Sequence, residues 1–269
     1  AGARGAPRRS GPGLFLMLDA ISSMALTRLP AVIVDVVRSC PGMGDLAPAQ
    51  EDWKLSGNGA YKIPILLPGN VQELANMVFE AFDIADQYST PVLVLADGML
   101  GQMMEPVEFK DQGENAKIDK PWALTGHQFK RPHNVVNSLY LQPADLERLV
   151  KERFERYETI KKPEQRAEEY LVDDAHSVVV AYGASSRVAR SSVNAARAEG
   201  IKAGLIRPIT LWPFPTDALQ RAAQHVKKFL AVEMSMGQMV DDVRLAIHEQ
   251  KPVEFYGRPG CLSPTPAEV

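Results

Sequence analysis

Cysteine is almost missing from this sequence: Cys40 and Cys261 are the only two in 269 residues, and they form no C-x-x-C pair. The chain therefore has no disulfide framework, and its cysteines supply no zinc or iron–sulfur ligand set. Both are read as reduced thiols of a cytoplasmic protein. No apolar run is long enough to cross a bilayer, and the first helical segment carries Asp19, so neither a membrane span nor a signal peptide is expected. Strong charge of one sign is absent as well. A formal net charge of −3 gives no global pull toward nucleic acid, and Arg4, Arg8 and Arg9 are read as a solvated terminus. There is no G-x-S-x-G, no Walker loop and no G-x-G-x-x-G. The histidines (His127, His133, His176, His225, His248) show no i, i+4 pair, so no metal site is assigned.

What is present has the composition of an ordinary globular protein, 45% hydrophobic and 23% charged, and the length suggests two domains. Apolar residues Leu14, Met17, Leu18, Ile21, Met24 and Ala25 recur at helical spacing after Ser10-Gly11-Pro12-Gly13. Ala31 to Val37 reads as a buried strand ending on Arg38, followed by a loop rich in Pro and Gly. Lys62 to Leu67 is a second short strand. Asn70 with Glu73 marks the start of a helix to about Tyr88, with Val71, Leu74, Ala75, Val78, Phe82 and Ala85 as its apolar face. Pro91 to Ala96 is the next strand, stopped by Asp97-Gly98. Between Met99 and Asp174 the pattern predicts loops and one charge-dense amphipathic helix, and no strand.

A second strand–helix alternation follows, with strands at Ser177–Tyr182, Lys202–Arg207, Lys228–Glu233 and Pro252–Tyr256. Thr216 is a candidate N-cap, and a helix is read from Met236 to His248. The fold class is α/β, with a doubly wound, mostly parallel sheet in the second half. The proposed division is 1–125, a connector 126–173, and 174–269.

Few residues invite chemistry. Ser10 to Gly13 is either a plain tight turn or a place where a ligand approaches the backbone closely. Arg38 can fork onto a carboxylate, or it can pair with Asp45, Glu51 or Asp52. Asp97-Gly98 reads as a turn, and Ser185 and Ser186 as helix caps or phosphate contacts.

Taken together, SGPG entering a helix, LPAVIVDVVRSCPGMGDLAPAQED, PVLVLADGMLGQMMEPVEF, RPITLWPFP, VEMSMGQMVDDVRLA and VEFYGR resemble the α subunit of the 2-oxoacid:ferredoxin oxidoreductases, most of all the 2-oxoisovalerate type. The resemblance covers nearly the whole chain. It implies a partial pyrimidine-side thiamine diphosphate domain over 1–125 and a transketolase C-terminal-like domain over 174–269. It further implies oxidative decarboxylation of a 2-oxoacid, 2-oxoisovalerate or, alternatively, 2-oxoglutarate or pyruvate, to acyl-coenzyme A and CO2, with ferredoxin as acceptor. A β subunit is implied to hold the diphosphate, its Mg2+ and an iron–sulfur cluster, with γ and often δ subunits completing the assembly. Arg38 falls at the family's strand-end arginine, a contact for the substrate carboxylate. Ser10, Gly11, Pro12 and Gly13 match the turn along the aminopyrimidine.

Three departures from the family pattern stand out. The family's activating glutamate lies upstream of the SGPG turn, whereas residues 1–9 contain no acid. Arg8 and Arg9 stand where small hydroxyl residues are usual, and Cys40 where glycine is common. The resemblance thus implies an N-terminally truncated subunit, inactive as an isolated chain, or, alternatively, a non-catalytic scaffold.

Overall fold

The computed structural model describes residues 2–38, 44, 47–52, 54, 57, 59–109, 119–260 and 262–269, without the Arg9 side chain. Cys40, Cys261 and Asp45 lie outside the described residues. Two five-stranded sheets organise the chain. The first is built on β2 (Ala31–Val37) and β4 (Pro91–Asp97), which pair parallel from Ala31 opposite Pro91 to Val37 opposite Asp97. Apart from Asp35 and the closing Asp97 they read as apolar runs, because both faces of a parallel sheet are covered. β1 (Arg8–Arg9) flanks β2, and β3 (Ile65–Leu66) flanks β4.

Two short helices, α1 (Pro12–Phe15) and α2 (Leu18–Thr27), replace the single helix predicted after the SGPG turn. They bury Leu14, Ile21 and Ala25 against Ile33, Val37, Leu93 and Leu95 on one face of the sheet. On the other face lies α3 (Val71–Tyr88), packed on Val32, Val34, Val92 and Val94. Asn70 caps α3 as predicted, accepting the Glu73 N–H at 2.7 Å, while the Glu73 carboxylate takes the N–H of Gly69, also at 2.7 Å. The most buried face of α3 is Met77, Ala81, Ile84 and Ala85. Most of these stand one residue before the predicted stripe, so that Leu74, Val78 and Phe82 sit half-buried on its flank.

A short helix, α4 (Gly98–Gln102), follows β4, and α5 (Pro143–Lys161) is the predicted long helix of the connector. The second sheet runs β10 (Val253–Gly257), β9 (Lys228–Glu233), β6 (Ser177–Val180), β7 (Ala203–Pro208) and β5 (Ala167–Tyr170). Its helices are α6 (Gly183–Ala198), α7 (Thr216–Ala223) and α8 (Met239–Ala246). Thr216 is the first residue of α7, and Pro215 takes the cap position.

Three strands depart from the sequence pattern. β1 sets Arg8 and Arg9, read from sequence as part of a solvated terminus, in parallel register with Val34 and Asp35. β5 lies where no strand was expected and pairs antiparallel with β7. β8 (Thr210–Trp212) crosses to the first sheet and pairs antiparallel with β3, so residues of the second half complete the first sheet. Ion pairs reinforce the join. Arg207, 7% exposed, donates to both Glu73 oxygens at 2.9 and 3.0 Å and to Glu168 at 2.7 Å. At Gly69 a Cβ would stand 2.6 Å from the Arg207 guanidinium, which explains the glycine there. Among the described residues no helix is long and apolar enough to cross a membrane.

Candidate functional site

Parallel strands end together at the C-terminal edge of β2 and β4, where open α/β sheets place their ligands. Half-buried Arg38 leaves β2 at this edge, and its backbone bridges Pro48. Beyond Pro48, Gln50 and Asp52 come to the same end and are both buried.

The SGPG turn reaches this region from β1. Arg9 stands in register opposite Asp35, after which the chain closes a tight turn with the Gly13 N–H on the Ser10 carbonyl at 3.1 Å. Gly11 has φ 48° and ψ −119°, a conformation that side chains disfavour, so glycine is required. Pro12 opens α1, where its missing N–H leaves no intrahelical bond unmade. The Gly11 N–H donates to Asp52 Oδ2 at 3.0 Å in a buried contact. Asp52 thus ties the turn to the Arg38 loop, joining two stretches that the sequence treated separately.

Asp35 was not singled out by sequence reasoning, since one acid in an apolar run gives no periodic signal. It lies on the α2-facing side of β2, the side of Ile33 and Val37, and is fully buried. Neither of its oxygens has a hydrogen-bond partner among the described residues. Burial first, and the charge of Asp52 second, push its carboxyl up to about 8. The folded chain therefore keeps a proton that the unfolded chain, at 3.8, releases. Stability from this group is accordingly fully present below pH 4 and lost as pH rises toward 8. We predict that urea denaturation at pH 5 and pH 8 will show a decline of a few kcal/mol, on the order of one per unit of pH. Asp35→Asn should remove most of it, and an unchanged pH difference in the variant would refute the assignment.

Asp97 and Gln50 join the sheet edges of the two halves. Asp97 Oδ1 accepts the Leu100 N–H at 3.0 Å, capping α4, and Oδ2 accepts the Ala184 N–H at 2.7 Å at the start of α6. Burial raises the Asp97 carboxyl above its ordinary value, and these N–H donors oppose the rise. Gln50 donates to the Tyr182 carbonyl and accepts from Ser185 and from the Met234 N–H. Gly183, at φ 54°, leaves room for both, since a Cβ there would lie 2.5 Å from Asp97 and 2.9 Å from Gln50. Ser185 and Ser186 do not cap α6. Ser185 bonds Gln50, and Ser186 donates to the Gly183 carbonyl at 2.6 Å.

A cleft of about 510 Å³ lies elsewhere, where α3 meets the second half, lined in part by Gly69, Glu73, Glu105, Arg187 and Arg207. Arg187, Arg190 and Arg207 each already hold a carboxylate, so among the described residues the cleft offers an anion no unengaged guanidinium. The His127 and His133 rings touch in the connector, with centres 3.9 Å apart and planes tilted by 53°. No group of three or more His, Cys, Asp or Glu among the described residues could hold a metal.

The turn can be tested against the aminopyrimidine implied for it. The Ser10 hydroxyl, like the Asp35 carboxyl, is buried without a partner. Unsatisfied groups of this kind are rare in folded proteins and suit a ring edge bearing N–H donors and nitrogen acceptors. The residues present fit such a group.

Comparisons with known proteins agree with this architecture. The family described as "Pyruvate flavodoxin/ferredoxin oxidoreductase, thiamine diP-bdg" matches residues 1–172, and "Pyruvate:ferredoxin oxidoreductase core domain II" matches 175–269. Ketoisovalerate oxidoreductase subunit VorB of Methanothermobacter thermautotrophicus is 47% identical over 250 residues, covering 91% of this chain and 71% of the relative. The 2-oxoglutarate synthase subunit KorA of Archaeoglobus fulgidus is 33% identical, covering 96% of this chain and 76% of the relative. Among solved structures, the 2-oxoglutarate:ferredoxin oxidoreductase of Magnetococcus marinus superposes with a TM-score of 0.77 at 22% identity. It covers 98% of this chain, which spans about half (51%) of that one. A split-gene transketolase superposes with a TM-score of 0.57 at 15% identity, covering 94% of this chain and 66% of that one. At these identities both structures speak to fold alone.

Proposed function

The chain belongs to the pyruvate ferredoxin/flavodoxin oxidoreductase family, and from that premise we propose that it is the α-type subunit of a 2-oxoacid:ferredoxin oxidoreductase acting on 2-oxoisovalerate. The likeness to the VorB subunits carries the choice of substrate. The conversion takes 2-oxoisovalerate and coenzyme A to the branched acyl-coenzyme A and CO2, and the two electrons released pass to ferredoxin. Thiamine diphosphate, when bound, supplies the electron sink that makes loss of the carboxylate possible.

This chain's part is binding and orientation. Ser10 to Gly13 would hold the aminopyrimidine, with Gly11 allowing close backbone approach and Asp52 fixing the turn through the Gly11 N–H. Arg38 at the strand end would grip the substrate carboxylate through two parallel N–H bonds. We assign the diphosphate, its Mg2+ and an iron–sulfur cluster to a β subunit, with γ and δ subunits completing a cytoplasmic hetero-oligomer.

The test is turnover by the complex assembled with its partner subunits. Coenzyme A-dependent viologen reduction should occur with 2-oxoisovalerate at a kcat/KM about 10-fold or more above that for pyruvate or 2-oxoglutarate, the discrimination a hydrophobic side-chain pocket can give. Absence of reduction with every 2-oxoacid would overturn the proposal.

A further inference from the structure

Asp35 has no part in the function just described, and its surroundings argue that it should. It stands between Leu95 on β4 and the Arg9 position on β1, on a face otherwise filled by Ile33 and Val37. A carboxyl buried there without a donor is destabilising, whereas a β-branched apolar residue would suit the strand and its neighbours. The chain leaves β1 one residue after the Asp35 level, and that residue is Ser10, whose hydroxyl is also buried and unpartnered. Asp52 lies close enough for its charge to be felt at Asp35, and it already holds the Gly11 N–H. Buried, unsatisfied polar atoms thus gather beneath one turn, and where a chain retains such a local conflict a functional demand is the common reason.

We propose that Asp35 is a positioning residue of the cofactor site, forming with Ser10 and Asp52 the polar floor on which the SGPG turn is set and giving an N–H donor of the cofactor's amino-heterocycle its acceptor. The inference rests on the thiamine diphosphate reading above. It accounts for the two orphaned side chains with one ligand edge: the carboxyl oxygens accept, and the Ser10 hydroxyl can donate or accept.

The experiment compares wild type, Asp35→Val and Asp35→Asn in the complex with partner subunits, by calorimetric titration with thiamine diphosphate and by thermal unfolding without it. Asp35→Val should weaken binding about 10-fold or more, the loss of one good hydrogen bond to a charged or strongly polar group. It should at the same time raise the unfolding temperature, because the buried carboxyl is gone. Asp35→Asn retains an acceptor of the same size and should bind within about 3-fold of wild type, well inside the range of one lost hydrogen bond. A purely structural Asp35 would behave otherwise, with the valine variant losing stability and binding together. That result, unchanged binding by Asp35→Val, or an asparagine variant no better than valine would overturn the inference alone. Failure of the wild-type complex to bind thiamine diphosphate would overturn the cofactor reading and this inference with it.

Discussion

Glu233→Ala is expected to lower the stability of the chain by about 3–5 kcal/mol, the scale of breaking a buried charged network by removing one partner. Glu233 ends β9, is fully buried, and turns its carboxylate onto the start of α8. Oε2 accepts from the N–H groups of Gln238 and Met239 and from the Ser235 hydroxyl, each at 3.0 Å, and Oε1 accepts from the Val240 N–H at 2.9 Å. These are the N–H groups a helix start leaves unmade, so one side chain of the preceding strand caps the following helix. Alanine would orphan the buried N–H groups of Met239 and Val240, the half-buried N–H of Gln238 and the Ser235 hydroxyl at once. Glu233→Gln keeps the acceptor oxygen but loses the charge and offers a donor where acceptors are needed, so it should fall between alanine and wild type. Urea denaturation monitored by far-UV circular dichroism measures both. An alanine variant within about 1 kcal/mol of wild type would contradict this account, since each orphaned buried donor costs at least that much.

Arg38→Lys is expected to lower kcat/KM for 2-oxoisovalerate about 100-fold in the assembled complex, split between a higher KM and a lower kcat. Lysine retains the charge but presents a point cation in place of a planar fork, so a two-bond grip on a carboxylate becomes a single contact. The effect should be large because Arg38 is half-buried at the strand end, where charge-assisted bonds are less screened than on an open surface. Steady-state kinetics of lysine and wild-type complexes decide the matter. If both parameters stay within a factor of two, the arginine serves an internal ion pair and the substrate carboxylate is held elsewhere.

The two residues are not equally legible in sequence. Arg38 was legible because an arginine closing an apolar run and opening a Pro/Gly-rich loop breaks the local pattern. Glu233 was not, since a glutamate ending a strand looks like any solvent-facing acid until the next helix is docked against it. Asp97 was read as half of a turn, and it does cap the helix after it, but its second partner, the Ala184 N–H, lies in the other half of the chain. The SGPG turn was recognised, yet the acid that holds it, Asp52, comes 41 residues after Gly11.

The sequence by itself determined the alternation of strands and helices, the Asn70 cap, the turn at Gly11 and the family likeness. All of these depend on residue spacing along a few turns of chain, or on motifs matched in order. Only the tertiary structure decided that β8 leaves the second half to complete the first sheet, that β5 joins β7, and that Arg207 bridges Glu73 and Glu168. Only there did Asp35 emerge as buried and unpartnered. The reason is physical: hydrophobic periodicity specifies which face of an element is buried, whereas strand pairing and the desolvation of one carboxyl depend on what distant segments bring to that face.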